Sequence, residues 1–243
     1  MKALRLIATL LDYPTQEVYQ HLDLIGNMIR EDTSLPLVTR ESLTVFVSQA
    51  QNKDLLDWQS EYDGLFERGR SVSLHLFEHV HGESRDRGQA MVELIRQYRN
   101  AGLELSVREL PDYLPVYLEF AATQGDQALG WVVDVAHVLT LLQARLEERE
   151  SDYALVIGAL LRLADIELDL TEVREQVAKE ERDDTPEALD KIWEEEAVSF
   201  TAPDDTSCPS SRYKPSPTQR CDDVSTVQWV EAPVSTSQNI TRS

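Results

Sequence analysis

Apolar side chains recur at steps of three and four along almost all of residues 1–200, the spacing that gathers them on one face of a helix. Leu4, Ile7, Leu10 and Leu11 begin the pattern, and Tyr13-Pro14 interrupts it, because the residue before a proline is pushed out of helical geometry. Residues 17–30 carry Val18, Leu22, Ile25 and Ile29 on one face and predict a second helix. Leu43, Phe46, Val47 and Ala50 mark a third, and Leu55, Trp58, Tyr62, Leu65 and Phe66 a fourth. Ser71 or Ser73 is placed to cap a helix carrying Leu74, Phe77 and Val80, which Gly82 ends. Asp86 as N-cap, with Gln89 three residues on, opens the next, which runs through Met91, Leu94, Ile95 and Tyr98 to Gly102.

Pro111 and Pro115 stand at the start of a helix whose Leu114, Tyr117, Leu118 and Ala121 face inward. Residues 126–150 predict the longest helix, with a broad stripe of Leu129, Val132, Val133, Ala136, Leu139, Leu142 and Leu146. Residues 153–165 are apolar nearly all round, as a central buried helix must be. Thr171 caps a polar helix, and Thr185-Pro186-Glu187 opens a last one carrying Leu189, Ile192 and Trp193. The fold class expected is all-α, a single helical domain over residues 1–200. Beyond it, residues 201–243 hold half of the ten prolines and fourteen Ser or Thr without periodicity, which reads as a disordered polar tail.

Charge narrows the partners. A net charge of -21 repels phosphate backbones and acidic lipid headgroups, so nucleic acid and direct membrane binding are poor expectations. A basic or amphipathic peptide fits better, since the same field steers it inward. Residues 167–196 are the most anionic stretch, with thirteen acidic against four basic side chains, unless they are simply a solvated helical surface. No export signal opens the chain and no segment reaches the roughly 18 apolar residues of a transmembrane helix, so a cytoplasmic location is expected. The two cysteines, Cys208 and Cys221, cannot build a four-cysteine site.

Three of the five histidines fall within HLFEHVH, residues 75–81. His75, Glu78 and His79 match H-x-x-E-H, in which two imidazoles one helical turn apart bind zinc and the carboxylate activates water. Glu93, Glu104, Glu109, Glu119 and Glu147 could each supply the third ligand, and a zinc-dependent hydrolase is therefore the alternative reading. Against it, Leu74, Phe77 and Val80 claim the inward face and the pattern fixes only three residues. No dinucleotide fingerprint, P-loop or nucleophile elbow is present.

The segment ERGRSVSLHLFEHVHGESRDRGQAM (67–91), together with RELPDYLPVYLEF (108–120), RDDTPEALDKIWEEEAVSF (182–200) and the opening LLDYP, resembles the NarJ and NarW family. These are dedicated assembly chaperones, called delta subunits, of the membrane-bound respiratory nitrate reductase. The resemblance covers residues 1 to about 200, and departs from the family pattern at His75, where the family has leucine. It implies a non-enzymatic, all-helical chaperone of the redox-enzyme maturation (TorD-like) type, without a cofactor of its own. Such a protein binds the N-terminal leader of the apo molybdenum-containing catalytic subunit, delays its membrane docking and assists cofactor insertion.

A leader that folds as an amphipathic helix needs an apolar groove with an acidic rim. Tyr113, Pro115, Tyr117 and Leu118, with Phe77, are the residues expected to line or support such a groove, although each is also an ordinary core candidate. His79, His81, Glu83, Arg85, Asp86 and Arg87 form the polar recognition patch beside it, unless they are only a satisfied interhelical turn. Arg68 and Arg70 are further candidates, or anchors for Glu67 or Glu78.

Overall fold

The computed structural model describes residues 1–81, 85–105, 109–166, 170–188 and 190. All belong to the first of two units into which the chain divides, Met1–Glu196; the second, Ala197–Ser243, holds the expected tail and lies outside the described residues. The fold is all-α, and among the described residues no strand forms.

Helix α1 (Lys2–Leu11) buries Leu4, Ile7, Leu10 and Leu11 and ends where Asp12 turns extended ahead of Pro14. The helix expected over residues 17–30 is instead two, α2 (Gln16–Gln20), capped by Thr15, and α3 (Leu22–Glu31). The break falls at His21, whose Nδ1 lies 2.7 Å from the Glu17 carbonyl and so competes with the helical ladder. Helix α4 (Leu37–Gln51) packs on α3, and Asp54 caps α5 (Leu55–Tyr62), which closes in a π-helical turn, Asp63–Glu67.

After a non-helical stretch come α6 (Leu76–His81), α7 (Arg85–Asn100) and α8 (Leu114–Thr123). Helix α8 lies along α1 and starts with Pro115 in its first turn, where a missing N–H costs nothing. The long helix expected over 126–150 is broken at Val135 into α9 (Ala128–Asp134) and α10 (Ala136–Glu148), which meet at 61°. The bend lets two short stripes serve different neighbours: α9 packs on α8, while α10 packs on α11 and α12. A straight helix of that length would overshoot so small a core.

Helix α11 (Tyr153–Leu163) is the central helix that its all-round apolar sequence predicts, with Val156, Ile157, Ala159 and Leu160 fully buried. Around its start Phe46, Trp58, Tyr62, Phe66 and Tyr153 form an aromatic cluster, and the Trp58 indole N–H donates to the Tyr153 hydroxyl at 2.9 Å. Helix α12 (Leu170–Val177) follows; Thr171 lies inside it rather than capping it. Thr185 does cap a last turn, its hydroxyl accepting from Ala188 N, while Leu189, Ile192 and Trp193 lie outside the described residues. No single helix among the described residues is long and apolar enough to cross a membrane.

Candidate functional site

Residues 73–76 do not start a helix at the serines as their pattern predicts. His75 forms an isolated antiparallel bridge with Tyr113: Leu114 N donates to Leu74 O at 2.8 Å and Leu76 N to Asp112 O at 2.9 Å. Using these backbone groups across the chain delays α6 to Leu76, so Leu74 and Leu76 take the buried positions, Phe77 is half-buried and Val80 is 50% exposed. Asp112 is fully buried, and its Oδ2 accepts from Phe77 N at 3.2 Å, capping α6 from another part of the chain.

The H-x-x-E-H geometry therefore never forms. His75 sits outside α6, with Nδ1 3.5 Å from Asp112 Oδ1 and its ring 5.4 Å from that of Tyr113. His79 turns Nε2 toward the Ser73 carbonyl at 2.8 Å, and Glu78 accepts from Arg87 at 3.2 Å. Glu93 and Glu147 pair with Arg96 and Arg174, and among the described residues no three His, Cys, Asp or Glu side chains are grouped to hold a metal ion. The zinc reading has no support. The two imidazoles also differ electrostatically: the Asp112 carboxylate raises the pKa of His75 against its partial burial, whereas burial lowers that of His79.

The polar patch divides in the same way. His81 stacks edge-on against Phe77 at 5.6 Å, and Arg87 lies between Glu78 and, at 4.0 Å, Asp112. Asp86 is exposed within the first turn of α7, which begins at Arg85, and so is not its N-cap. Glu83 and the Arg85 side chain lie outside the described residues.

Pro115, Tyr117 and Leu118 are buried in α8, which packs on α1 and α9, and the Tyr117 hydroxyl donates to Trp131 O at 2.8 Å. Tyr113 is half-buried at a junction, its hydroxyl 2.7 Å from that of Tyr62 and 3.1 Å from Asp12 Oδ1. The other side of α8 opens a cleft of about 370 Å³ against α1 and the end of α7. Tyr98, Leu103, Leu105, Val116 and Phe120 make its apolar floor, and Glu104, Glu109, Glu119 and Arg5 its rim. Desolvation raises the pKa of Glu119, helped by the charges of Asp12 and Glu109 and opposed by Arg5. Periodicity alone does not single out this side of α8, because the helix is apolar nearly all round. The cleft's three rim glutamates were legible only as stray metal-ligand candidates.

A second cluster ties the chain's later acidic run to residues 69–71. Asp183 Oδ2 accepts from Arg70 N and Ser71 N at 2.6 and 2.7 Å, and Oδ1 accepts from the Ser71 hydroxyl and Arg149 at 2.6 and 2.8 Å. Gly69 has φ +88°, and a Cβ there would lie 2.7 Å from Asp183 Cγ, so both conformation and space demand glycine. Arg145 holds Glu180 through both carboxylate oxygens, and Arg182 holds Asp184 likewise.

Residues 32–156 match the nitrate reductase delta subunit family. The chain belongs to that family. It is 47% identical over 212 residues, 87% of this chain and 89% of the relative, to the nitrate reductase molybdenum cofactor assembly chaperone NarJ of Escherichia coli (strain K12). The probable chaperone of the same description named NarW, from the same organism, is 45% identical over the same shares of each chain. The probable NarJ of Bacillus subtilis (strain 168) is 30% identical over 157 residues, 64% of this chain and 84% of the relative.

In this delta-subunit chain the four signature segments are thus joined physically. Asp12 of LLDYP meets Tyr113, Asp112 ties the middle segment to α6, and Asp183 of RDDTP clamps the turn that precedes α6.

Proposed function

We propose that this chain is an assembly chaperone for the apo catalytic subunit of a respiratory nitrate reductase, acting in the cytoplasm before membrane docking. It binds that subunit by its N-terminal leader and assists molybdenum cofactor insertion, with no bond-making of its own. The observation that carries the reading is the 47% identity to a molybdenum cofactor assembly chaperone along 87% of the chain. The cleft on α8 supplies a fitting mechanism. An amphipathic leader helix lays its apolar face on Val116, Phe120, Leu103 and Leu105, and basic residues on its polar side meet Glu104, Glu109 and Glu119. Binding a nascent leader keeps its apolar face out of water and out of competing contacts until the cofactor is in place.

In this reading Phe77, His79, His81, Arg87 and Tyr113 are a recognition patch apart from the cleft lining, and Pro115, Tyr117 and Leu118 the packing that holds α8 in position. The test is co-purification of the full chain with the apo catalytic subunit, intact or lacking its leader. Retention of the intact subunit and loss of the truncated one is expected. Equal retention of both would remove the leader from the mechanism, and retention of neither would remove the chaperone role.

A further inference from the structure

Asp183 occupies a cradle whose donors are those of an anion site. Successive backbone N–H groups of Arg70 and Ser71 converge on one of its oxygens, following a glycine of positive φ. That arrangement of main-chain donors is a recurrent oxyanion binder. The Ser71 hydroxyl and the Arg149 guanidinium complete it on the other oxygen. The donors sit on rigid parts of the fold, because Arg149 closes α10 and Arg145 donates to Ser71 O at 2.8 Å. The acceptor follows an exposed, non-helical strap, residues 178–182, whose other ties to α10 and its C-cap are Glu180 on Arg145 and Asp184 on Arg149.

Beside the cradle lies a cavity of about 130 Å³, lined by Ser71, Arg145, Arg149 and Arg182, with Glu148, Glu180 and Glu181 also on its wall. The Arg149 side chain is only 7% exposed, and its Nη1 is buried without a hydrogen bond, its acidic neighbour Asp184 being 3.4 Å away. A buried guanidinium N–H without a hydrogen bond is costly, and here the ion pair with Asp184 offsets that cost only in part.

We propose that the Gly69–Ser71 turn and Arg149 form a binding site for a phosphate-class oxyanion, which Asp183 fills from within the chain as a displaceable plug. Phosphate oxygens reproduce the carboxylate's four contacts and add a further acceptor for Arg149 Nη1. The chain's overall negative field opposes any free anion, so the tether decides the competition: Asp183 is present at an effective concentration in the millimolar range. Ligand binding therefore requires Asp183 to leave, which removes one of the three ties, with Glu180 and Asp184, that hold the strap of residues 178–184.

The test is calorimetric titration of the full chain with pyrophosphate at matched chloride ionic strength. Compared with the wild type, Asp183→Asn is expected to bind roughly tenfold more tightly, and a second substitution, Arg149→Gln, to abolish the gain. A cooperatively folded Asp183→Asn without the gain overturns the proposal, and so does a gain that survives Arg149→Gln. The wild type gives an independent readout should Asp183→Asn fail to fold. Pyrophosphate is expected to accelerate tryptic cleavage after Arg182 severalfold over the chloride control, and an unchanged rate overturns the proposal. Repeating the titration with ADP separates the two sources of the ligand: tighter binding than pyrophosphate assigns the site to a nucleotide, and equal or weaker binding to the free oxyanion.

Discussion

His75 and His79 lie four positions apart and respond to acid in opposite senses. His75 has its pKa raised by Asp112, so its contribution to stability is complete below the ordinary imidazole value of about 6.5 and is lost as pH rises through the raised value. His79 has its pKa lowered by burial, so it contributes fully above about 6.5 and costs stability as pH falls through the depressed value. We expect urea midpoints between pH 5 and 8.5 to separate them. His75→Gln removes the loss on the alkaline side, and His79→Gln removes the loss on the acid side; identical pH profiles for the two variants would refute the assignment. The orphaned pair of atoms explains the first effect, because neither His75 Nδ1 nor Asp112 Oδ1 has another partner and a proton between them satisfies both.

Alternate faces of helix α8 do different work. Leu118 is fully buried against α1, so Leu118→Ala is expected to cost about 2–5 kcal/mol of folding stability by leaving a cavity. Val116 is half-buried in the cleft floor, so Val116→Arg should leave the denaturation midpoint nearly unchanged. It should weaken leader-peptide affinity about tenfold or more, equivalent to ~1.4 kcal/mol. Fluorescence anisotropy with a labelled leader peptide, read beside a urea melt for each variant, checks both halves; equal affinity in Val116→Arg would move the leader elsewhere.

What the chain's pattern revealed at this scale follows from what periodicity encodes. It located the apolar runs of α1, α8 and α11, because burial of one or every face leaves a local signature. It missed the breaks at His21 and Val135, where no proline or glycine punctuates the run. It also missed the late start of α6, which is set by a pairing with residues 112–114 that no local window contains. The cleft stayed hidden for a related reason: α8 is apolar on both faces, and only its packing on α1 tells which one remains open.

At the scale of the whole molecule the excess acid is less free than its count suggests. Glu180, Asp183 and Asp184, in the most anionic stretch, are held by Arg145, Arg149 and Arg182. Burial opposes ionisation of Asp183, but donors from Ser71, Arg70 and Arg149 more than compensate and hold its pKa below the ordinary carboxylate value. On the proposed function, long-range attraction of a basic leader falls to the remaining charge, which still sums to a strongly negative field. We expect the association rate to fall steeply between 0.1 M and 1 M salt as the Debye length shrinks from about 10 Å to about 3 Å, with a smaller change in dissociation. Stopped-flow mixing measures this, and a salt-independent association rate would leave the charge a role in solubility alone.

The ring of Phe120 floors the cleft on one side and on the other meets Trp131 edge-on, 4.7 Å between centroids, while Trp58 is sealed in the distant aromatic cluster. The protein therefore carries a built-in optical probe. With Trp58, Trp193 and Trp229 replaced by phenylalanine, indole emission comes from Trp131 alone, one ring away from whatever occupies the cleft, and its intensity and wavelength report arrival and departure without a label.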